Sequence, residues 1–200
     1  MDGLHLHRKT TTAKTGNESF CFHGNEIGRK LLDFWEWSAS DLLSNTARGI
    51  LAEFIVATAL EADITPAVRE TWGEYDLEIW EWGRIRVEVK SAAYLQTWEQ
   101  RKYSNIVFSI KKKGITTIKK DKNQFSRPSD VYVFCLLNHR DKKTVDPLKL
   151  EQWSFYVVST KTIDANFGDR NSLSLKSLEK IASPIDYPQL KSTISGEAKK

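Results

Sequence analysis

The feature that most constrains the fold is a run of alternating apolar and polar residues between positions 75 and 90, broken once near its middle. This alternation predicts two β-strands joined as a hairpin. Leu77 and Ile79 must share the core face with the apolar side chains of the second strand, because another register would expose one set to water. The expected pairings are Leu77 with Val87 and Ile79 with Ile85.

The same register brings charged side chains together on the opposite face of the hairpin. It places Asp76 opposite Glu88, with Lys90 one step further on the same side. Facing carboxylates repel, so such a pair needs a proton, a basic partner or a bound cation. Mg²⁺ is commonly held by one or two carboxylates together with substrate phosphate. An exposed polar face with a cross-strand ion pair is the structural alternative.

A third acidic residue, Glu53, interrupts the apolar run 50–56. A carboxylate buried there without a partner would be costly. A metal site or a nearby Arg or Lys would provide that partner, so we predict that Glu53 belongs to the same site. Alternatively, the helix turns Glu53 towards solvent.

The remaining pattern predicts an α/β fold of the mixed α+β kind, with a central mixed β-sheet flanked by helices. The hairpin loop is assigned to residues 81–83, with Gly83 in a left-handed conformation. Other predicted elements are helices at 25–37, 49–60 and 175–182 and strands at 105–110, 131–137 and 153–159.

The length of 200 residues favours one globular domain. We expect a flexible leader over residues 1–23, a single domain over 24–188 and a polar tail over 189–200. Two cysteines cannot form a disulfide framework, and no apolar stretch is long enough to span a bilayer. These features favour a cytoplasmic protein that does not enter membranes.

Positive charge is concentrated in residues 111–122, although the net charge is only +4. This segment contains six lysines and one acid, a composition that suits a loop in contact with nucleic-acid phosphates. A solvated surface loop is the alternative. The lysines predicted to bind nucleic acid are Lys111, Lys112, Lys113, Lys119, Lys120 and Lys122.

Together these residues resemble the PD-(D/E)XK nuclease superfamily, which has the restriction-endonuclease-like fold. Residues 49–53 resemble its acid-bearing helix, Asp76 its motif aspartate and residues 88–90 its E-x-K element. The resemblance covers about residues 47–137, and Tyr75 stands where the name-giving proline would be. It implies an α-β-β-β-α-β core and Mg²⁺-dependent phosphodiester hydrolysis.

The resemblance also implies roles for particular residues. Asp76, Glu88 and Glu53 would be both catalytic residues and the ligands of Mg²⁺, with Mn²⁺ as a substitute, and Lys90 would complete the catalytic set. Gln96 and Ser91 follow the E-x-K element and are accessory candidates, because a Gln downstream lies near the active site in similar nucleases. Simple solvent exposure of Gln96 is equally compatible with the sequence.

Three functions are compatible with this pattern. The first is an endonuclease that prefers DNA, for which a homodimer would bring two sites to two strands. The second is a catalytically silent nucleic-acid-binding or scaffold protein that keeps the fold. The third is a metal-free structural domain in which Glu53 pairs with Arg48 or Arg86 and the hairpin face is solvated.

Overall fold

The computed structural model describes residues 6, 9–61, 68–69, 73–114 and 125–200. The chain divides into two compact units, one formed by residues 1–40 with 63–71 and the other by residues 41–62 with 72–200. The single domain predicted over 24–188 therefore contains residues of both units.

The first unit contains a β-hairpin followed by a helix. Strands β1 (Ser19–Phe22) and β2 (Asn25–Lys30) pair antiparallel, and α1 (Leu31–Ala39) follows directly. Its ordered hairpin begins within the segment that we predicted as a flexible leader. The turn between the strands is tight because His23 and Gly24 both adopt positive φ angles, of 49° and 82°.

The helix predicted over residues 25–37 is wrong in its first half, where β2 lies. Gly28 has a φ of 75°, which a helix cannot accommodate. The helix begins at Leu31 because the Asp33 carboxylate accepts a hydrogen bond of 2.6 Å from the backbone N–H of Lys30. Helical spacing of apolar residues alone could not reveal this change of structure.

The second unit is built on a four-stranded mixed sheet of β3 (Leu77–Ile79), β4 (Ile85–Ala93), β8 (Val131–Leu137) and β9 (Trp153–Ser159), which are hydrogen-bonded in that order. β3 and β4 are antiparallel, β4 and β8 parallel, and β8 and β9 antiparallel. The other described strands of this unit are β5 (Val107–Ser109), β6 (Lys113–Gly114), β7 (Phe125–Ser126) and β10 (Ser172–Ser174). Its helices are α2 (Asn45–Ala59), α3 (Thr160–Phe167), α4 (Leu175–Leu178) and α5 (Leu190–Ala198).

The predicted register of the hairpin is confirmed. Leu77 pairs with Val87 and Ile79 pairs with Ile85. Gly83 has the expected positive φ of 86°, but Arg84 is left-handed as well, with a φ of 65°. Consequently the ladder closes at Ile79, and the connection is longer than the three residues predicted.

The two faces of the sheet bury separate cores. On one face, side chains of α2 and α5 pack against the odd-numbered residues of β4 and β8, such as Val87 and Val133. The other face is covered by residues from β5, β10, α3 and α4, including Phe108 and Leu173. The predicted mixed sheet flanked by helices is therefore confirmed.

The end of the chain differs from the polar tail predicted over 189–200. α5 occupies most of it, and Leu190 and Ile194 are completely buried against the sheet. Side chains four residues apart lie on one helix face, so two apolar residues are enough to anchor this short helix. No helix among the described residues is long and apolar enough to cross a membrane.

Candidate active site

Asp76 is held where β3 begins. Its backbone N–H donates to the Val87 carbonyl at 3.1 Å, and one of its carboxylate oxygens accepts from the Val89 N–H at 2.7 Å. The side chain thus takes the hydrogen-bonding position beside β4 that a longer β3 would have filled with a backbone carbonyl. As a result, the carboxylate is fixed next to β4.

Glu88 lies on β4 as the buried centre of an ionic cluster. Its side chain is only 1% exposed, and its Oε1 atom is 2.5 Å from the Lys90 Nζ and 3.0 Å from the Lys113 Nζ. A buried carboxylate is retained only when its charge is compensated, and here two ammonium groups do so. The exposed polar face that served as the alternative interpretation is therefore not what the structure shows at Glu88.

Lys90 joins the two acids of the hairpin. Its Nζ atom is 3.8 Å from an Asp76 oxygen and 2.5 Å from a Glu88 oxygen. The structure therefore brings Asp76, Glu88 and Lys90 together as predicted. Because Lys90 follows Glu88 by two residues on one strand, side-chain alternation directs both to the same face.

The pKa of Asp76 is raised. Burial is the largest cause, Lys90 lowers the pKa, Glu88 raises it, the hydrogen bond from Val89 lowers it, and Glu53 also raises it. Glu53, partly buried on α2, therefore lies within electrostatic range of Asp76. Among the described residues, however, no three side chains of Asp, Glu, His or Cys converge closely enough to ligate one ion. The predicted three-carboxylate ligand set is thus not assembled.

The donor chemistry of the remaining pair still suits a hard divalent cation. Asp76 and Glu88 both lie within 4 Å of one ammonium group, and carboxylate oxygens are the ligands that Mg²⁺ prefers. One or two carboxylates are enough when water and substrate phosphate complete the coordination. A cation at Glu88 would have to share this carboxylate with two lysines.

A cleft of about 530 Å³ opens beside the cluster. Of the lysines predicted to contact phosphates, Lys111, Lys112 and Lys113 line it together with Glu88 and Lys90. Its other lining residues are Ser109, Gly114, Phe125 and Tyr132. Lys119, Lys120 and Lys122 lie outside the described residues. The cleft therefore combines four positive side chains with one buried carboxylate.

Two residues of the site were not assigned to it from the sequence. Lys113 was placed among the phosphate-binding lysines, yet it contacts Glu88 directly. Tyr132 lies on β8 beside Glu88, and burial together with the charge of Glu88 raises its pKa to about 12. A pairing between distant segments creates both contacts, so no local sequence signal reveals them.

The accessory residues Gln96 and Ser91 do not join the cluster. Gln96 is buried, but its side chain bonds to Arg48 at 3.4 Å and to the Ala93 carbonyl and the Ser104 hydroxyl at 3.3 Å. β4 ends at Ala93, so the alternation of side chains between the two faces of the sheet no longer applies at Gln96. Ser91 shares the α2 face of the sheet, because its neighbours at i±2 are core residues of that face.

Comparison with known proteins identifies one protein family that matches this chain. The cluster combines a strand-borne acid pair with a lysine and faces a lysine-lined cleft. The sequence model of the family described as bacteriophage T4 endonuclease IV matches residues 27–177, which include this whole cluster. The chain belongs to that family, and hence to the nucleases. No curated protein and no solved structure matches it.

Proposed function

We propose that this protein is a metal-dependent endonuclease that hydrolyses phosphodiester bonds in DNA, with Asp76, Glu88 and Lys90 at its active site. The observation that supports it best is the position of the Lys90 ammonium, within 4 Å of both carboxylates and beside the lysine-lined cleft. In this proposal the carboxylates hold Mg²⁺, for which Mn²⁺ can substitute.

The protein groups divide the chemistry between them. When bound, the cation polarises the phosphoryl oxygen and acidifies a water molecule. The Val89 N–H fixes the orientation of Asp76, and burial fixes that of Glu88. Lys90 orients the attacking water and offsets the negative charge that grows on the phosphate oxygens.

Glu53 supplies a further negative charge from α2, close enough to Asp76 to raise its pKa. We propose that it acts beside the pair by orienting a metal-bound or attacking water, because the described residues form no closed three-acid ligand set. This role differs from the direct ligation that the sequence suggested.

The arrangement of elements also supports a restriction-endonuclease-like core within the PD-(D/E)XK superfamily. α2, which carries Glu53, packs against β4, and β4 lies between an antiparallel β3 and a parallel β8. The helix and the hairpin fit the start of the α-β-β-β-α-β core that the resemblance implies, whereas among the described residues no helix lies between β4 and β8. The family match supports nuclease activity independently of the superfamily assignment.

Cleavage assays with Lys90→Ala test the proposal. Purified protein is incubated with plasmid, linear duplex, single-stranded DNA and RNA in Mg²⁺, Mn²⁺ or EDTA. We expect metal-dependent cleavage of DNA that falls by at least about 10²-fold in Lys90→Ala, since loss of one preorganised charge has effects of this size. Lys176→Ala, which removes an exposed lysine of α4, is the matched control.

Two results would contradict this assignment. Cleavage that Lys90→Ala leaves unchanged would exclude the proposed mechanism. DNA binding that persists in EDTA, with no cleavage in any metal, would instead support a catalytically silent nucleic-acid-binding or scaffold protein with the same fold.

A further inference from the structure

The ammonium group of Lys113 contacts the Glu88 carboxylate, which the proposed function assigns to a divalent cation. From this we infer that Lys113 is a substrate-responsive gate on Glu88. Without nucleic acid, the Lys113 ammonium contacts the Glu88 carboxylate. A phosphodiester bound in the cleft attracts this ammonium away from Glu88, so that the cation and the nucleic acid bind cooperatively. The inference rests on the proposed role of Glu88 as a metal ligand.

The contacts of Lys113 fully satisfy its ammonium group. Nζ is 3.0 Å from each of the two Glu88 carboxylate oxygens and 2.8 Å from the Glu74 carbonyl oxygen. An ammonium has three donors and no acceptor. A cation that approaches Glu88 must therefore displace this lysine or share the carboxylate with it.

The acids in direct contact with lysines already have one ammonium group each without a cation. Asp76 and Glu88 face Lys90 and Lys113, and Glu53 adds one further negative charge within electrostatic range of Asp76, so a divalent ion would exceed the remaining negative charge. A divalent ion added to this set would leave an excess of positive charge at a carboxylate that is 1% exposed, where solvent screens poorly. Binding becomes favourable once an ammonium leaves or a phosphate adds negative charge.

Of the two lysines, Lys113 is the one that can leave. Lys90 stands on a central strand of the four-stranded sheet, and its side chain is 27% exposed. Lys113 is 41% exposed and lies on the two-residue β6, which pairs only with the equally short β7 among the described strands. Turning it into the cleft breaks no rung of the main sheet.

The cleft provides the destination for that movement. Lys113 lines it together with Lys111 and Lys112, so a phosphate bound by those two lysines lies within reach of a third. Linkage then requires reciprocity: nucleic acid tightens cation binding by the same factor by which the cation tightens nucleic-acid binding.

Calorimetric titration of Mn²⁺ into Lys113→Met tests the gate. Titrations are made on the protein alone and on its complex with a phosphorothioate duplex, which slows turnover. Without DNA we expect Lys113→Met to bind Mn²⁺ about tenfold more tightly than the wild type. The duplex should tighten Mn²⁺ binding about tenfold in the wild type and much less in Lys113→Met.

Three variants identify the cause. Lys111→Met removes the same charge from the same cleft, at a position that does not form the Glu88 contact, so its Mn²⁺ affinity without DNA should stay close to that of the wild type. Lys113→Arg retains a donor to Glu88 and should retain the weak wild-type affinity. Glu88→Gln should lose Mn²⁺ binding, which locates the ion. A melting curve for each variant confirms that it is folded.

The outcomes separate this inference from the proposed function. Equal Mn²⁺ affinities in the wild type and Lys113→Met, both abolished by Glu88→Gln, would overturn the gate and leave the metal site standing. An equal gain in Lys111→Met would also overturn it, because general charge would then explain the effect. DNA cleavage in EDTA, with no Mn²⁺ bound by any variant, would overturn both proposals.

Discussion

Two ionic groups lie two residues apart on the same face of β4, and they balance their charges differently. Arg86 forms a closed pair with Asp130: its guanidinium donates to the two carboxylate oxygens at 3.1 and 2.8 Å, and its backbone N–H donates at 2.8 Å. Glu88 instead shares Lys90 with Asp76 across the hairpin and also contacts Lys113. The first is a complete pair, and the second is a crowded cluster.

The acids respond in opposite directions. Burial favours a higher pKa for Asp130, but its hydrogen bonds with Arg86 prevail and lower that pKa. The pKa of Asp76 is raised, because burial outweighs the help of Lys90. An acid whose pKa is lowered by its partner stabilises the folded state at neutral pH, whereas a pKa raised by burial is a feature that functional sites share with some structural ion pairs.

The largest effect in this comparison is expected for Asp76→Asn. The amide oxygen can still accept from the Val89 N–H, so local geometry is retained while the charge is lost. Cleavage should fall by at least about 10²-fold. Initial rates on duplex DNA in Mg²⁺ measure the change, with Lys176→Ala as control. Full activity in Asp76→Asn would remove the distinction between the two ionic groups.

Asp76→Asn should also stabilise the protein at neutral pH. The folded-state pKa of Asp76 is raised above the unfolded value of 3.8, so the folded state favours the protonated form. The wild type therefore loses stability as pH rises from 3.8 through the raised pKa. Melting temperatures across this range should show a gain for Asp76→Asn at pH 7 that disappears in acid. A loss at pH 7 would mean that ionised Asp76 stabilises the fold.

Arg86→Met should have the opposite profile, with activity kept and stability reduced. The pair is more than one-third exposed, so a loss of about 1 kcal/mol is expected. Because the folded-state pKa of Asp130 is lowered, its contribution is present above 3.8 and is lost as pH falls through the folded value. Urea denaturation at neutral pH and in acid measures both. Loss of cleavage without loss of stability would place Arg86 in the active site.

The smallest effect is expected for Lys111→Met, which tests the cleft rather than the cluster. Each phosphate contact contributes about 0.9 to the slope of log affinity against log salt. DNA binding in EDTA, measured over a range of salt concentrations, should show a slope reduced by about this amount. An unchanged slope would support the alternative that residues 111–113 belong to a solvated surface loop that does not contact phosphates.

Local patterns predicted the hairpin and the other two strands of the sheet. Period-two alternation and the burial requirement fixed the pairing of Leu77 with Val87, and the bounds of β8 and β9 are as predicted. These elements succeeded because one physical requirement, burial of an apolar face, determines both the conformation and the register.

The errors arise where several weak local signals compete or where distant segments meet. Residues 25–30 begin a segment with apolar residues at helical spacing, but after the tight turn at Gly24 they form strand β2. The salt bridge between Lys113 and Glu88 joins residues 25 positions apart, and only the folded chain brings them together. Gln96 has the parity of Glu88 in sequence, but its backbone has already left β4. The acid pair was thus predictable, but its second ammonium was not.

The parallel pairing of β4 with β8 has a kinetic consequence. An antiparallel hairpin such as β3–β4 closes within microseconds, whereas a parallel partner reached only through residues 94–130 must wait for a long loop to close. We therefore expect Asp76, Glu88 and Lys90 to meet early on the folding pathway, before Tyr132 arrives beside them. During synthesis, the acids should approach each other before the ribosome has released the strand that covers them.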